Sequence, residues 1–253
     1  MEQLVSDLVH LTPEEYKVLD EDDFGVPGLV AHEVIGPFVR VQALGTLIMV
    51  HDGRFEPRHG IGHHPHRFNE RLFYILEGAV DHDDALNGIQ GHMGTGDVGR
   101  LTEGRYGMIH KEWNNTDGPG RAFILVYSTE PTPARASFEL LADADAPRYD
   151  EASGVRTKEL VGPKVKFPLH GDVRFFAASE IAADGELRLE TSDGEAGMLF
   201  TLDGELDVDG TALGKEHTLL VPPNGSRSVT ARAPSGARAI RVVTGPGHGF
   251  VTR

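Results

Sequence analysis

The stretch HPHRFNERLFYILEGAVDHDDALNG, residues 64–88, decides how the rest of the chain is read. Its centre, YILEGAVDH at 74–82, runs aromatic, two residues, acid, glycine, spacer, aliphatic, acid. FTLDGELDV at 200–208 repeats that order. In both places the acid–glycine pair signals a turn between antiparallel strands. A second tight turn follows each copy, LTEGRYG at 101–107 and VPPNGS at 221–226. Elsewhere short apolar runs such as RVQALGTLIMV (40–50) and RAFILVYS (121–128) are separated by Gly, Asn and Asp, the punctuation of a sandwich or barrel. The expected fold is all-β, with two related units.

The two units divide the chain. Residues 1–33 form an N-terminal extension in which LTPEEYKVLDEDD (11–23) places Thr12 as an N-cap, Pro13 at the first helical position and Glu15 to complete a capping box. One short acidic helix is expected there. The first β unit occupies 34–130. The proline-punctuated, acidic stretch EPTPARASFELLADADAPRYDEASG marks a linker at 131–156 with one helical turn, and the second unit runs from 157 to 253.

At 253 residues and 39% apolar, the chain can bury one large β domain or two small ones without staples. With 24 basic against 39 acidic residues the net charge is -15, and no Lys/Arg cluster tracks a phosphate backbone. Direct binding to nucleic acid or an anionic membrane is therefore not expected. There is no cysteine, which excludes disulfides, thiolate nucleophiles, iron–sulfur clusters and zinc ribbons. Any metal must rest on histidine and carboxylate. The start, MEQLVSDLVH, carries acids where a signal peptide needs bases, and no apolar run approaches the ~18 residues of a membrane span. A cytoplasmic protein is the expectation.

Eight of the 13 histidines (51, 59, 63, 64, 66, 82, 92 and 110) fall between residues 51 and 110. In an extended strand, residues two apart point the same way, roughly 6–7 Å from one another, so His64 and His66 can aim both imidazoles at one point. Pro65 between them places the pair at a strand start or edge. GMIHKEWN (107–114) repeats the spacing with His110 and Glu112. Two such pairs on facing strands put four ligands around one centre. Glu70, four residues after His66, competes with Glu112 for the carboxylate position. His59, His63, His82 and His92 complete no same-face pair and are read as supporting or surface residues. In the second unit the positions matching His64 and His66 are Glu190 and Ser192, so a metal belongs to the first unit only.

HPHRFNERLFYILEGAVDHDDALNG followed by GTGDVGRLTEGRYGMIHKEWN resembles the pirin family of bicupins, in which H-P-H-R opens the first motif and I-H-x-E closes the second. The resemblance covers roughly residues 34–250 and is strongest at 64–114. It implies a bicupin of two face-to-face antiparallel jelly-roll barrels, a single divalent metal in the first and a degenerate second barrel. His64, His66, His110 and Glu112 match the family's three histidines and one glutamate, whereas Glu70 matches a family glutamate that is not a ligand. Phe68 and Asn69 stand where the family has Gly-Phe, and the acidic extension is atypical.

Three neutral imidazoles and a carboxylate suit Fe(II), Mn, Ni, Cu or Zn; the resemblance points to Fe(II). Four protein ligands leave positions open for a substrate oxygen and dioxygen. Because pirins resemble quercetin 2,3-dioxygenases, the implied activity is oxygenation of a flavonol-like or other enolisable aromatic compound by O2. Glu112 is then both ligand and proton acceptor. Phe68, Phe73, Tyr74, Met108 and Trp113 are candidate cavity walls, and Arg67 a candidate partner for a substrate oxyanion. The alternative is a non-enzymatic iron-binding regulatory or redox-sensing protein acting through a protein partner. A cavity plugged by Phe68 would favour that alternative.

Overall fold

The computed structural model describes residues 8–151 and 153–253; the acidic start read against a signal peptide, residues 1–7, lies outside the described residues. The chain forms two antiparallel barrels, each a large sheet facing a four-stranded one. In the first, a nine-stranded sheet centred on Asn69–Glu77 and Gly120–Ser128 faces Gly60–His66, Met108–Trp113, Ala79–Asp84 and Ile89–Gly94. In the second, a seven-stranded sheet centred on Ala196–Gly204 and Ala237–Thr244 faces a smaller sheet built on Gly185–Thr191 and Arg227–Ala233.

The two large sheets pack against each other. Alternation along Asn69–Glu77 sends Leu72 and Tyr74 towards the second barrel and Phe73 into the first. Phe123 meets Phe200 with ring centroids 4.9 Å apart, and Tyr74 stands edge-on to Phe176 at 5.9 Å. Central strands are thus covered on both faces, and so RLFYIL and RAFILVY read as continuous apolar runs.

The acid–glycine turns differ from the hairpin expected. Asn69–Glu77 pairs with Val98–Thr102 and Gly120–Ser128, whereas Ala79–Asp84 pairs with Met108–Trp113 and Ile89–Gly94. Gly78 is therefore a corner that carries the chain from the large sheet to the small one. Gly204 turns the same corner in the second barrel. Their φ angles are 69° and 77°, and a Cβ would lie 2.3 Å from Pro119 O at Gly78 and 2.4 Å from Gly236 O at Gly204. Both repeats keep glycine for the same two reasons, a left-handed backbone and a neighbouring carbonyl.

In place of one helix, the extension forms a 3-10 turn, Pro13–Glu15, and a single α-turn, Glu21–Phe24. The Glu15 carboxylate accepts the Thr12 N–H at 3.0 Å, as the capping motif requires. Between the turns, Lys17–Leu19 runs extended because Leu29–Ile35 offers it a ladder of backbone bonds that an isolated short helix cannot match. The extension and the linker also supply strands. Val9–Leu11 joins the second barrel beside Thr218–Val221, and Phe250–Thr252 returns to the first beside Val41–Leu44. Ser137–Leu141 edges the first barrel's large sheet, Arg148–Glu151 edges the second's, and the linker's helical turn is Asp143–Asp145.

Candidate metal centre

His64 lies directly opposite His110, and His66 opposite Met108, on the paired strands Gly60–His66 and Met108–Trp113. Between His110 and Glu112 the register slips, so that Glu112 faces Ile61 instead of Gly62. This bulge brings Ile61, His64 and His66 onto the barrel's inner side although two residues separate Ile61 from His64. His63 falls within the bulge, is exposed, and meets Asp83 at 2.9 Å.

The three imidazoles form a tight triangle: ring centroids are 4.7 Å apart for His64 and His66, 4.6 Å for His64 and His110, and 5.0 Å for His66 and His110. Glu112 Oε1 is 2.7 Å from His110 Nδ1, and Oε2 is 4.0 Å from His64 Nε2. All four expected residues come together. A fifth joins them. His82 pairs across the sheet with Glu112, is 1% exposed, and brings its Nδ1 to 3.4 Å from His110 Nδ1. Two overlapping triads result, His64–His66–His110 and His82–His110–Glu112. His82 stood in the sequence on a strand leading away from the motif; only the pairing of Ala79–Asp84 with Met108–Trp113 returns it.

Several of these buried donors are orphaned. His82 Nε2, His110 Nε2 and Glu112 Oε1 make no hydrogen bond, since the 2.7 Å contact between His110 and Glu112 lacks hydrogen-bond alignment. Buried polar atoms left without partners cost free energy, and a cation shared among them would remove that cost. His64 is prepared for this role: its Nδ1–H donates to Gly62 O at 2.7 Å, leaving Nε2 free. His66 is held differently. Arg71, itself paired with buried Glu103 at 2.7 Å, donates to His66 Nδ1 at 2.7 Å, so an ion on this ring requires the imidazole to turn over or release Arg71.

Protonation suits ligation. Burial, followed by Arg71, His110 and His64, depresses His66 to about 2. Burial also lowers His64 and takes His82 down to about 4, in each case against the opposing pull of Glu112. Burial of Glu112 works against its ionisation, but His110, His64 and Arg71 outweigh it and hold the carboxyl at about 2. The neutral form is thus favoured at His64, His66 and His82 and the ionised form at Glu112.

Other candidates land elsewhere. Glu70 is fully buried but faces the second barrel, where it accepts from Thr102 Oγ1 (2.5 Å), Tyr127 OH (2.8 Å) and His170 N (2.9 Å). The alternation that points Phe73 inward points Glu70 outward, so it does not compete with Glu112. Arg67 is exposed and stacks over Phe68, and Phe68 itself is 47% exposed and plugs nothing. Arg71 is the cation beside the cluster. His59 donates its Nδ1–H to Pro57 O and His92 donates its Nδ1–H to Asp81, both away from the triangle. A third group of potential ligands, His32, Asp52 and Glu216, is saturated by Arg54 and Arg121 and joins the barrels as an ion network.

The imidazole cluster opens onto a cavity of about 250 Å³. Of the walls expected, Phe73 lines it; Tyr74, Met108, Trp113 and Phe68 do not. Phe24 and Leu19 from the extension, Phe38, Phe55, Met49 and Ile124 complete the apolar lining. Opposed to these is one polar pair, His51 Nε2 3.1 Å from Glu33 Oε2, with Glu33 fully buried and also accepting the Phe38 N–H at 2.7 Å. In the second barrel, Glu190 is exposed while Leu187 and Leu189 face inward. There the buried guanidinium of Arg241 donates to Glu151, Thr157, Ser179 and Arg188 O, a fixed cation inside the barrel.

The sequence profile of the Pirin family matches residues 25–127, which include all the strands that carry the histidine cluster. Residues 25–127 of this chain are thus similar to the Pirin domain. A provisionally named quercetin 2,3-dioxygenase of Zymomonas mobilis is 29% identical to it over 137 residues, 53% of this chain and 56% of the relative, so the chain spans just over half of that relative's length. Among solved structures, a quercetin 2,3-dioxygenase from Acinetobacter baumannii superposes with a TM-score of 0.80 at 17% identity, covering 95% of this chain and 86% of the other. The bacterial pirin YhhW from Escherichia coli, solved in complex with nickel(II), gives a TM-score of 0.71 at 16% identity, covering 91% of this chain and 99% of the other. These likenesses establish the pirin bicupin fold; among the described residues, no helix is long and apolar enough to cross a membrane.

Proposed function

We propose that this protein is a metal-dependent dioxygenase acting on a flavonol-like or other enolisable aromatic substrate, with His64, His66, His110 and Glu112 holding the metal. The observation that carries this reading is a cavity walled by Phe24, Phe38, Phe55 and Phe73 that ends on a histidine–carboxylate cluster with orphaned donor atoms. The named quercetin 2,3-dioxygenases among its relatives and fold neighbours point the same way. Fe(II), the expected occupant, or Mn, Ni, Cu or Zn, supplies Lewis acidity and, for the redox-active ions, chemistry with O2.

The protein's own groups then divide the work. The phenyl walls receive the aromatic body and exclude water, strengthening every polar contact at the inner end. Glu112, ionised and within reach of the cluster, accepts the proton of the substrate's acidic hydroxyl. His51, oriented by Glu33, offers a hydrogen bond from the wall, and Arg71 fixes His66 while contributing positive charge beside a developing enolate. The test is oxygen uptake by anaerobically Fe(II)-loaded protein against a flavonol and enediol panel, with elemental analysis. Uptake and stoichiometric metal should both vanish in His110→Ala; unchanged uptake in that variant sinks the proposal.

The regulatory reading draws on one observation, the outer face of the ligand-bearing strands. Ile109 lies opposite Pro65 there, and Ile109, Phe68, Leu86 and Tyr106 are all exposed. Metal bound without uptake on any substrate, together with a partner captured only in one iron oxidation state, would replace the enzyme with that reading.

A further inference from the structure

The residues of the histidine cluster do not all close on one point. Nitrogens and carboxylate oxygens lying mutually within 4.8 Å fall into two triads, His64–His66–His110 and His82–His110–Glu112, which share only His110. The triads face different ways. Two members of the first, His64 and His66, line the metal-side cavity, so it is an outer seat for an ion. Of the second only Glu112 reaches the cavity wall; His82 and His110 lie behind it, 1% and 0% exposed, and make an inner seat.

Their donors are unequally engaged. His66 Nδ1 accepts from Arg71 at 2.7 Å, and Arg71 is held there by fully buried Glu103. A neutral ring that accepts at Nδ1 carries its proton on Nε2, so neither nitrogen of His66 offers a free lone pair. The inner triad is the reverse: His82 Nε2, His110 Nε2 and Glu112 Oε1 have no hydrogen-bond partner among the described residues. The 3.4 Å contact between its two rings uses the other nitrogen of each.

His82 is also braced. Phe138, from the connecting stretch, stacks on it with centroids 5.6 Å apart and planes at 12°. Room for that phenyl exists because residue 91, directly opposite His82 on the neighbouring strand, is glycine: a Cβ there would lie 2.4 Å from Phe138 Cζ. On its other flank His82 pairs with Glu112. A buried imidazole fixed in place beside a carboxylate and left unpartnered is costly unless something shares its lone pair.

We propose that His82, with His110 and Glu112, forms the resting seat of a divalent metal, and that Arg71 holds His66 out of the outer seat. This rests on the reading of the cluster as a metal centre and adds His82 to it as a ligand. A cavity occupant that draws Arg71 away frees His66 and so opens the outer seat.

Cobalt(II) titration of the metal-stripped full chain tests this, because the wild type has no cysteine and a single cysteine ligand announces itself by a thiolate-to-cobalt band in the near ultraviolet. His82→Cys should bind Co(II) and show the band; His92→Cys, exposed beside Asp81, should show none. His82→Gln should weaken Co(II) binding at least about tenfold, and more than His66→Gln does. A His82→Cys chain that melts like the wild type and binds Co(II) without the band overturns the proposal. So does a larger loss in His66→Gln than in His82→Gln, or a wild-type chain that binds no Co(II). Where substitution at 82 unfolds the chain, His66→Gln decides: it should hold Co(II) within about threefold of wild type, and loss of binding overturns the proposal. The band without oxygen uptake by the Fe(II)-loaded protein removes the dioxygenase reading alone; uptake without the band removes the inner seat alone.

Discussion

Acid should unfold this protein through its histidine cluster, and the size of the effect follows from two imidazoles. His66 and His82 are held at about 2 and about 4 in the folded chain, against 6.5 when free. Because both folded values are depressed, the unfolded chain binds more protons below pH 6.5, and stability falls as pH falls through that point. Each pH unit below 6.5 costs about 1.4 kcal/mol per histidine, so at pH 4.5 buried His82 alone contributes a loss of about 2.5 kcal/mol. His66 is only half-buried, and solvent screening trims its share to ~1–2 kcal/mol. The sum, ~4 kcal/mol, is a large part of the ~5–15 kcal/mol that holds a typical fold. Glu112 adds nothing in this window, since its own contribution is lost only as pH falls from 4.5 towards 2. Urea titrations of metal-stripped protein at pH 7.5, 6.5, 5.5 and 4.5 measure the slope, and His82→Asn should flatten it by about 2 kcal/mol across the two units below pH 6.5. A wild-type chain equally stable at pH 6.5 and 4.5, or a His82→Asn slope identical to wild type, refutes the reasoning.

Phe123→Ala empties the contact with Phe200 at the centre of the seam between the barrels and should cost about 3–5 kcal/mol in denaturant unfolding, with no change in metal stoichiometry. Arg241→Met removes the buried cation of the second barrel and strands Glu151; a loss of about 3 kcal/mol at pH 7 is expected, shrinking once Glu151 is protonated at low pH, as a pair of melting curves would reveal. Phe24→Ala deletes one wall of the metal-side cavity at an extension residue, so affinity for an apolar aromatic probe should fall about tenfold while stability changes by less than about 1.5 kcal/mol; equal probe affinity would remove the extension from the cavity's design. Arg71→Met frees His66 Nδ1, and the pH at which metal is half-released should move; an unaltered release curve would mean that Arg71 does not govern this ring.

The sequence alone determined the all-β class, the two repeats and the four residues that converge. These are set by local periodicity: i, i+2 spacing fixes the side of a strand on which His64 and His66, or His110 and Glu112, both emerge, and a glycine at a crowded left-handed corner marks each repeat. Tertiary structure decided what periodicity cannot carry. Which strands are neighbours brought His82 to Glu112. A single bulged residue between Ile61 and His64 set the inner face of the ligand strand. The cavity walls came from chain segments far apart in sequence, Phe24 and Phe38 among them, while nearby Tyr74 and Met108 packed elsewhere. Cross-strand register, which set these neighbours, is fixed by the packing of whole sheets and not by the residues it brings together.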